Sequence, residues 1–134
     1  MDIKITFPGR KRVDAEMDGY VIRTDQPAKY GGEASAPAPF DYFLASIGTC
    51  AGIYVLSFCQ ERKIPTEGIS LVERLVYGER ETGKKFIQKI VIEIVVPSSF
   101  PEKYRKTLVK VADHCSVKKA IMNPPGFEVV TRVI

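Results

Sequence analysis

From Phe40 to about Arg62 the chain is apolar on nearly every side of a helix: Phe40, Tyr42, Phe43, Leu44, Ala45, Ile47, Ala51, Ile53, Tyr54, Val55, Leu56 and Phe58. Pro39 suits the first helical position, where its missing N–H costs nothing, and the Asp41 carboxylate suits the first turn. Only the last turn becomes polar, at Gln60-Glu61-Arg62-Lys63, before Pro65 ends the helix. A helix this hydrophobic must be covered on most of its faces. A single chain of 134 residues has few strands to do so. A second copy is therefore expected to supply part of the cover, which makes the protein a homodimer.

The rest of the pattern predicts strands and two shorter helices. Ile3–Phe7, Val13–Met17 and Tyr20–Arg23 alternate polar and apolar residues, and Asp18-Gly19 suits a two-residue hairpin turn. Asp25–Pro37 has no periodicity and is rich in Gly and Pro, so it reads as an ordered loop of a length that often accompanies function. Ile69–Gly78 and Lys85–Val96 form a second strand pair. A helix starting near Ser98-Ser99-Phe100-Pro101 runs to Ala112, and Ser116 is the expected cap of a short helix over Val117–Met122. Phe127–Ile134 reads as a final strand. The order β-β-β-α-β-β-α-α-β predicts an α+β fold, antiparallel sheet on central helices, in a single domain over residues 1–134.

Composition narrows the function classes. Hydrophobic residues make up 45% and charged residues 27%, which excludes disorder and fibrous repeats. No apolar run is expected to reach the roughly 18 residues of a membrane span, and the N-terminus carries no signal-peptide core. The expectation is a cytoplasmic protein without a membrane partner. Net charge is +4, and Arg80–Lys119 holds ten Lys/Arg against four Asp/Glu. Those charges fall at alternate strand positions and on one helix face, which reads as a solvated surface and not a nucleic-acid site.

Three cysteines in a chain without an export signal argue against a disulfide framework and turn attention to thiol chemistry. Cys50 follows Gly48-Thr49 in the long helix, where glycine marks a break, a kink or a close approach. Taken alone, a cysteine there is either a small buried hydrophobe or a reactive thiol. Cys115 sits at a helix junction, between His114 and Ser116, with free N–H groups of the next helix near it. Packing and a stabilised thiolate are equally open readings of that position. Cys59 stands nine residues after Cys50, faces the other way and is structural. His114 is the only histidine, and no metal-ligand spacing, Walker loop or dinucleotide fingerprint occurs, so neither a metal nor another cofactor is expected.

Gly31-Gly32-Glu33 and the run Ser35-Ala36-Pro37-Ala38-Pro39-Phe40-Asp41-Tyr42-Phe43-Leu44-Ala45-Ser46-Ile47-Gly48-Thr49-Cys50 resemble one signature of the OsmC/Ohr family. Ala112-Asp113-His114-Cys115-Ser116-Val117-Lys118-Lys119-Ala120-Ile121 resembles that family's second cysteine segment. The resemblance implies an intertwined homodimer with long central helices enclosed by sheets. It also implies a thiol peroxidase acting on organic hydroperoxides, with Cys50 peroxidatic, Cys115 resolving and a dithiol as reductant. In the family the reactive thiol is paired with an arginine held by a glutamate. Here the acidic position is met by Asp41, shorter or one place off. The arginine has no secure match; Arg23, supplied across the dimer, is the candidate. Phe40, Phe43 and Tyr54 are the candidate walls of an apolar substrate pocket. The alternative reading is a non-catalytic dimer of the same fold that binds a small apolar ligand or acts as a slow redox sensor.

Overall fold

The computed structural model describes all 134 residues. Its contacts gather into two units, Met1–Ala45 and Ser46–Ile134. The first is a three-stranded antiparallel meander of β1 (Lys4–Gly9), β2 (Arg12–Met17) and β3 (Tyr20–Thr24). Asp18 and Gly19 both take positive φ, 47° and 83°, the pair of values that a tight hairpin turn between twisted strands requires.

After β3 the loop predicted over Asp25–Pro37 is ordered around one carboxylate. Asp25 is 1% exposed. Its Oδ1 accepts the Gln26 N–H at 2.7 Å, and its Oδ2 accepts the Ser35 N–H at 3.0 Å and the Ser35 hydroxyl at 2.5 Å. Those donors hold its pKa down at about 2. Gly32 closes the loop where nothing larger fits, since a Cβ there would lie 1.8 Å from the Gln26 carbonyl oxygen. The loop delivers the chain into α1 (Pro39–Glu61). At the start of α1 the Asp41 carboxylate accepts the Ala38 N–H at 2.9 Å, and the Tyr42 hydroxyl donates to the Arg23 carbonyl at 2.7 Å.

The second unit holds the remainder of α1, the hairpin of β4 (Ser70–Glu79) and β5 (Lys85–Val95), α2 (Arg105–Ala112) and α3 (Ser116–Met122). Val55, Phe58 and Cys59 of α1 form its buried core with Phe100 and Leu108. Ile64, Leu71, Ile94, Tyr104 and Val111 pack against that core. The helix ends where Lys63 turns to φ 54° and the Ile64 N–H reaches back to the Cys59 carbonyl at 2.8 Å. This left-handed cap satisfies two otherwise orphaned carbonyls and drops Ile64 onto the core.

Three expectations are corrected. The helix expected from Ser98 begins later: a 3-10 turn over Glu102–Tyr104 precedes α2, because Pro101 stands at its N-terminal boundary and neither Ser98 nor Ser99 caps it. The cap of α3 is Cys115, not Ser116, as its sulfur accepts the Lys118 N–H at 3.4 Å. Phe127–Ile134 forms no strand; a strand needs a neighbour to bond with, and here Phe127 is 90% and Val129 95% exposed. In addition, α1 is long and apolar enough to cross a membrane on length and composition alone, although only 28% of that stretch is buried within the chain. Core helices of soluble folds share that composition.

Candidate active site

Cys50 lies on the fourth turn of α1 and Cys115 at the N-terminal boundary of α3, and the second unit brings them together. The Cys115 thiol is 1% exposed and donates to the Ile47 carbonyl at 3.8 Å, one turn before Cys50. Burial pushes its pKa up, and the neighbouring Cys50 opposes a second thiolate at the same place. Cys50 is half-buried, with its Sγ 3.5 Å from the Ser116 Oγ. Its pKa falls to about 7, chiefly through the Ser116 hydroxyl, then the Val117 N–H and the Cys115 thiol, with burial opposing. The two cysteines are thus chemically unequal. Cys50 is a thiolate over much of its population at neutral pH, and Cys115 is a neutral thiol within reach of it.

A cavity of about 530 Å³ borders the second cysteine. Its walls are the apolar faces of α1 (Ile47, Ala51), β5 (Ile90, Ile92) and α2 (Val109), with Cys115 in the lining. Lys118 also borders it and is ion-paired with Asp113. The sheet face that supplies the isoleucines also carries Glu73, opposite Ile92 in the β4–β5 register. Glu73 accepts the Gly48 N–H, and burial raises its pKa. Its other oxygen, Oε1, is buried without a partner. That contact explains the glycine two residues before Cys50: a Cβ on Gly48 would lie 2.6 Å from the Glu73 Oε2.

Arg23 is on β3, opposite Asp14, and Asp41 caps the start of α1; both belong to the first unit. None of the groups that shift the Cys50 pKa is a cation. Phe40 and Phe43, also in the first unit, stack on each other at 5.3 Å and are largely exposed. Tyr54 is half-buried on α1 and is not among the cavity walls. Sequence reasoning missed Ser116 as a thiol partner, having assigned its hydroxyl to capping, and missed β5 as a pocket wall. The clue to the latter was present: Ile90, Ile92 and Ile94 share one strand face and lacked an assigned partner. No three His, Cys, Asp or Glu side chains converge as metal ligands would.

The profile of the OsmC-like protein family matches residues 32–130, which include both cysteines and the cavity walls. Among solved structures, the fold is similar to a provisionally named osmotic-stress-induced and detoxification-response protein from Psychrobacter arcticus. That pair has a TM-score of 0.69 at 21% identity, over 88% of this chain and 85% of that one. It is also similar to an organic hydroperoxide resistance protein OsmC from Legionella pneumophila, with TM-score 0.56 and 21% identity over 90% and 87% of the chains. A third is an organic hydroperoxide resistance protein from Elizabethkingia anophelis with bound thiocyanate, at TM-score 0.57 and 17% identity over 92% and 90%. No curated protein matches the sequence. These likenesses concern the fold, and the profile match across both cysteine segments establishes that the chain belongs to the OsmC-like protein family.

Proposed function

We propose that the protein reduces organic hydroperoxides with thiol equivalents. The observation that carries this reading is the unequal cysteine pair: a thiol with its pKa drawn down to about 7 beside a buried neutral one. In the proposed cycle the Cys50 thiolate attacks the terminal oxygen of a hydroperoxide ROOH. The O–O bond breaks, the sulfur is oxidised to a sulfenic acid, and RO⁻ takes a proton to leave as the alcohol. The Cys115 thiol then attacks the sulfenic sulfur, forming a disulfide and releasing water. A dithiol reductant reopens that disulfide by exchange, returning both cysteines to thiols and becoming a disulfide itself. The apolar walls favour an organic over an inorganic peroxide. In the assembled protein we expect a homodimer, supported by the apolar side chains that α1 leaves in solvent, among them Ile53 at 53% exposure.

The test is steady-state turnover of an organic hydroperoxide with a dithiol, alongside peptide mapping after stoichiometric oxidation. Turnover above the free dithiol rate together with a Cys50–Cys115 disulfide is the expected result. A bridge involving Cys59, or over-oxidised Cys50 with Cys115 untouched, defeats the proposed cycle. Absent turnover favours the non-catalytic dimer.

A further inference from the structure

Resting on that reading of Cys50 as the nucleophile, we infer that the Ser116 hydroxyl is the catalytic hydrogen-bond donor that holds its thiolate, in the role a cation would otherwise take. A serine at the start of a helix ordinarily spends its hydroxyl oxygen on the free backbone N–H groups there. In α3 that duty has passed to the preceding residue, whose sulfur takes the Lys118 N–H at 3.4 Å. The Ser116 hydroxyl is thereby left to point at α1, with its Oγ 3.5 Å from the Cys50 Sγ. One sequence step thus sets two sulfurs to different work. Cys115 caps the helix and stays neutral, while its neighbour donates to the other thiol.

A hydroxyl and a guanidinium stabilise a thiolate in distinguishable ways. The hydroxyl is a dipole that acts at contact distance, so its effect is nearly independent of ionic strength. A cation acts over a Debye length, about 10 Å at 0.1 M salt, and is screened as salt rises. The titratable and charged groups on the elements around this turn of α1 include Lys89 of β5 and Lys119 of α3, neither of which is among the groups that shift the Cys50 pKa. On the corner between α2 and α3 they are Cys115, His114, and Lys118 paired with Asp113. On β4, Glu73 reaches the Gly48 N–H. Two neutral side-chain groups touch Cys50, the Ser116 hydroxyl and the Cys115 thiol, and the hydroxyl has the larger effect.

The experiment measures alkylation of Cys50 against pH in the full-length protein, with the Cys50 peptide quantified by mass spectrometry. Three variants are compared: Ser116→Ala and the isosteric pair Ser116→Thr and Ser116→Val. Loss of the hydroxyl moves the profile to higher pH, and one pH unit of movement cuts the rate at pH 7 about fivefold. Ala and Val variants are expected to show that loss, Thr to keep the parent profile, and the parent profile to hold between low and high salt. Equal profiles for Val and Thr overturn the inference, as does a parent profile that shifts steeply with salt. Because Val and Thr share a shape, a folding defect in the Ala variant leaves the comparison intact. Glu73→Gln, expected to leave the profile unchanged, separates carboxyl titration from that of the thiol; if it abolishes the inflection near pH 7, the inference fails. Hydroperoxide turnover is read separately: no turnover with an intact Ser116 effect refutes the peroxidase reading and upholds the donor.

Discussion

Replacing Gly48 by alanine sets two effects of similar size against each other. In a helix interior alanine is better than glycine by about 1 kcal/mol, so on propensity alone Gly48→Ala stabilises α1. The new methyl, however, would lie 2.6 Å from the Glu73 Oε2. The carboxyl is the end of a flexible side chain and can move, but it then gives up the Gly48 N–H. Glu73 already has one buried oxygen without a partner. Leaving a second polar group unsatisfied costs about 1–3 kcal/mol, which equals or exceeds the propensity gain. The expected net effect in the parent is therefore zero to about 2 kcal/mol of destabilisation. In a Glu73→Ala background the obstacle is gone, and the same substitution should stabilise by about 1 kcal/mol, roughly 4 °C in Tm for a chain of this size. The assay is a double-mutant cycle by thermal and denaturant unfolding, all four proteins at one concentration so that association does not enter the comparison. Equal effects of Gly48→Ala in both backgrounds would refute the reasoning, since they would mean the carboxylate places no constraint on that turn.

Three more expectations follow from other parts of the molecule. Leu108, 2% exposed beneath α1, should cost about 2–5 kcal/mol when cut to alanine, read as a lower denaturation midpoint at unchanged slope. Asp25→Asn puts an amide among N–H donors and should open the Asp25–Pro37 loop to protease while the parent resists. Because the folded pKa of Asp25 lies at about 2, below the ordinary carboxylate value of 3.8, its contribution to stability is complete above about pH 4 and is lost as pH falls through 2; pepsin at pH 3 should therefore cut the variant and spare the parent. Sedimentation at low micromolar concentration should give a particle of about 30 kDa, twice the 15.0 kDa chain, and a folded species of half that mass would defeat the dimer.

Periodicity located the elements well where the periodic residues also carried the packing. The Asp18-Gly19 hairpin, the long helix and the β4–β5 pair lie within a residue or two of their expected bounds. It failed at Phe127–Ile134, where alternation marks a segment able to pair but says nothing about whether a partner edge is at hand. The cap of α3 was misread because capping preferences are ranked for oxygen, and here a sulfur occupies the site. At the candidate site, the residues alone left Cys50 and Cys115 open between packing and reactivity, and only the resemblance of two segments to one family paired them. What acts on them was not legible, since the Ser116 hydroxyl reaches Cys50 only through the juxtaposition of α3 with a helix 66 residues earlier. The cavity walls were hidden for the same reason: Ile90 and Val109 become neighbours through folding, not spacing.

Cys59 gives the molecule an internal clock of its own opening. Its side chain has no exposed surface among Val55, Phe58 and Leu108, and burial raises its pKa despite the nearby Arg62. A labelling reagent reaches it only when that cluster separates. Its modification rate, divided by that of the same thiol in an unfolded peptide, then equals the fraction of molecules open at any instant. Oxidant that consumes Cys50 leaves this reading untouched, so a single peptide digest can record both how much peroxide the protein has met and whether it was still folded when it did.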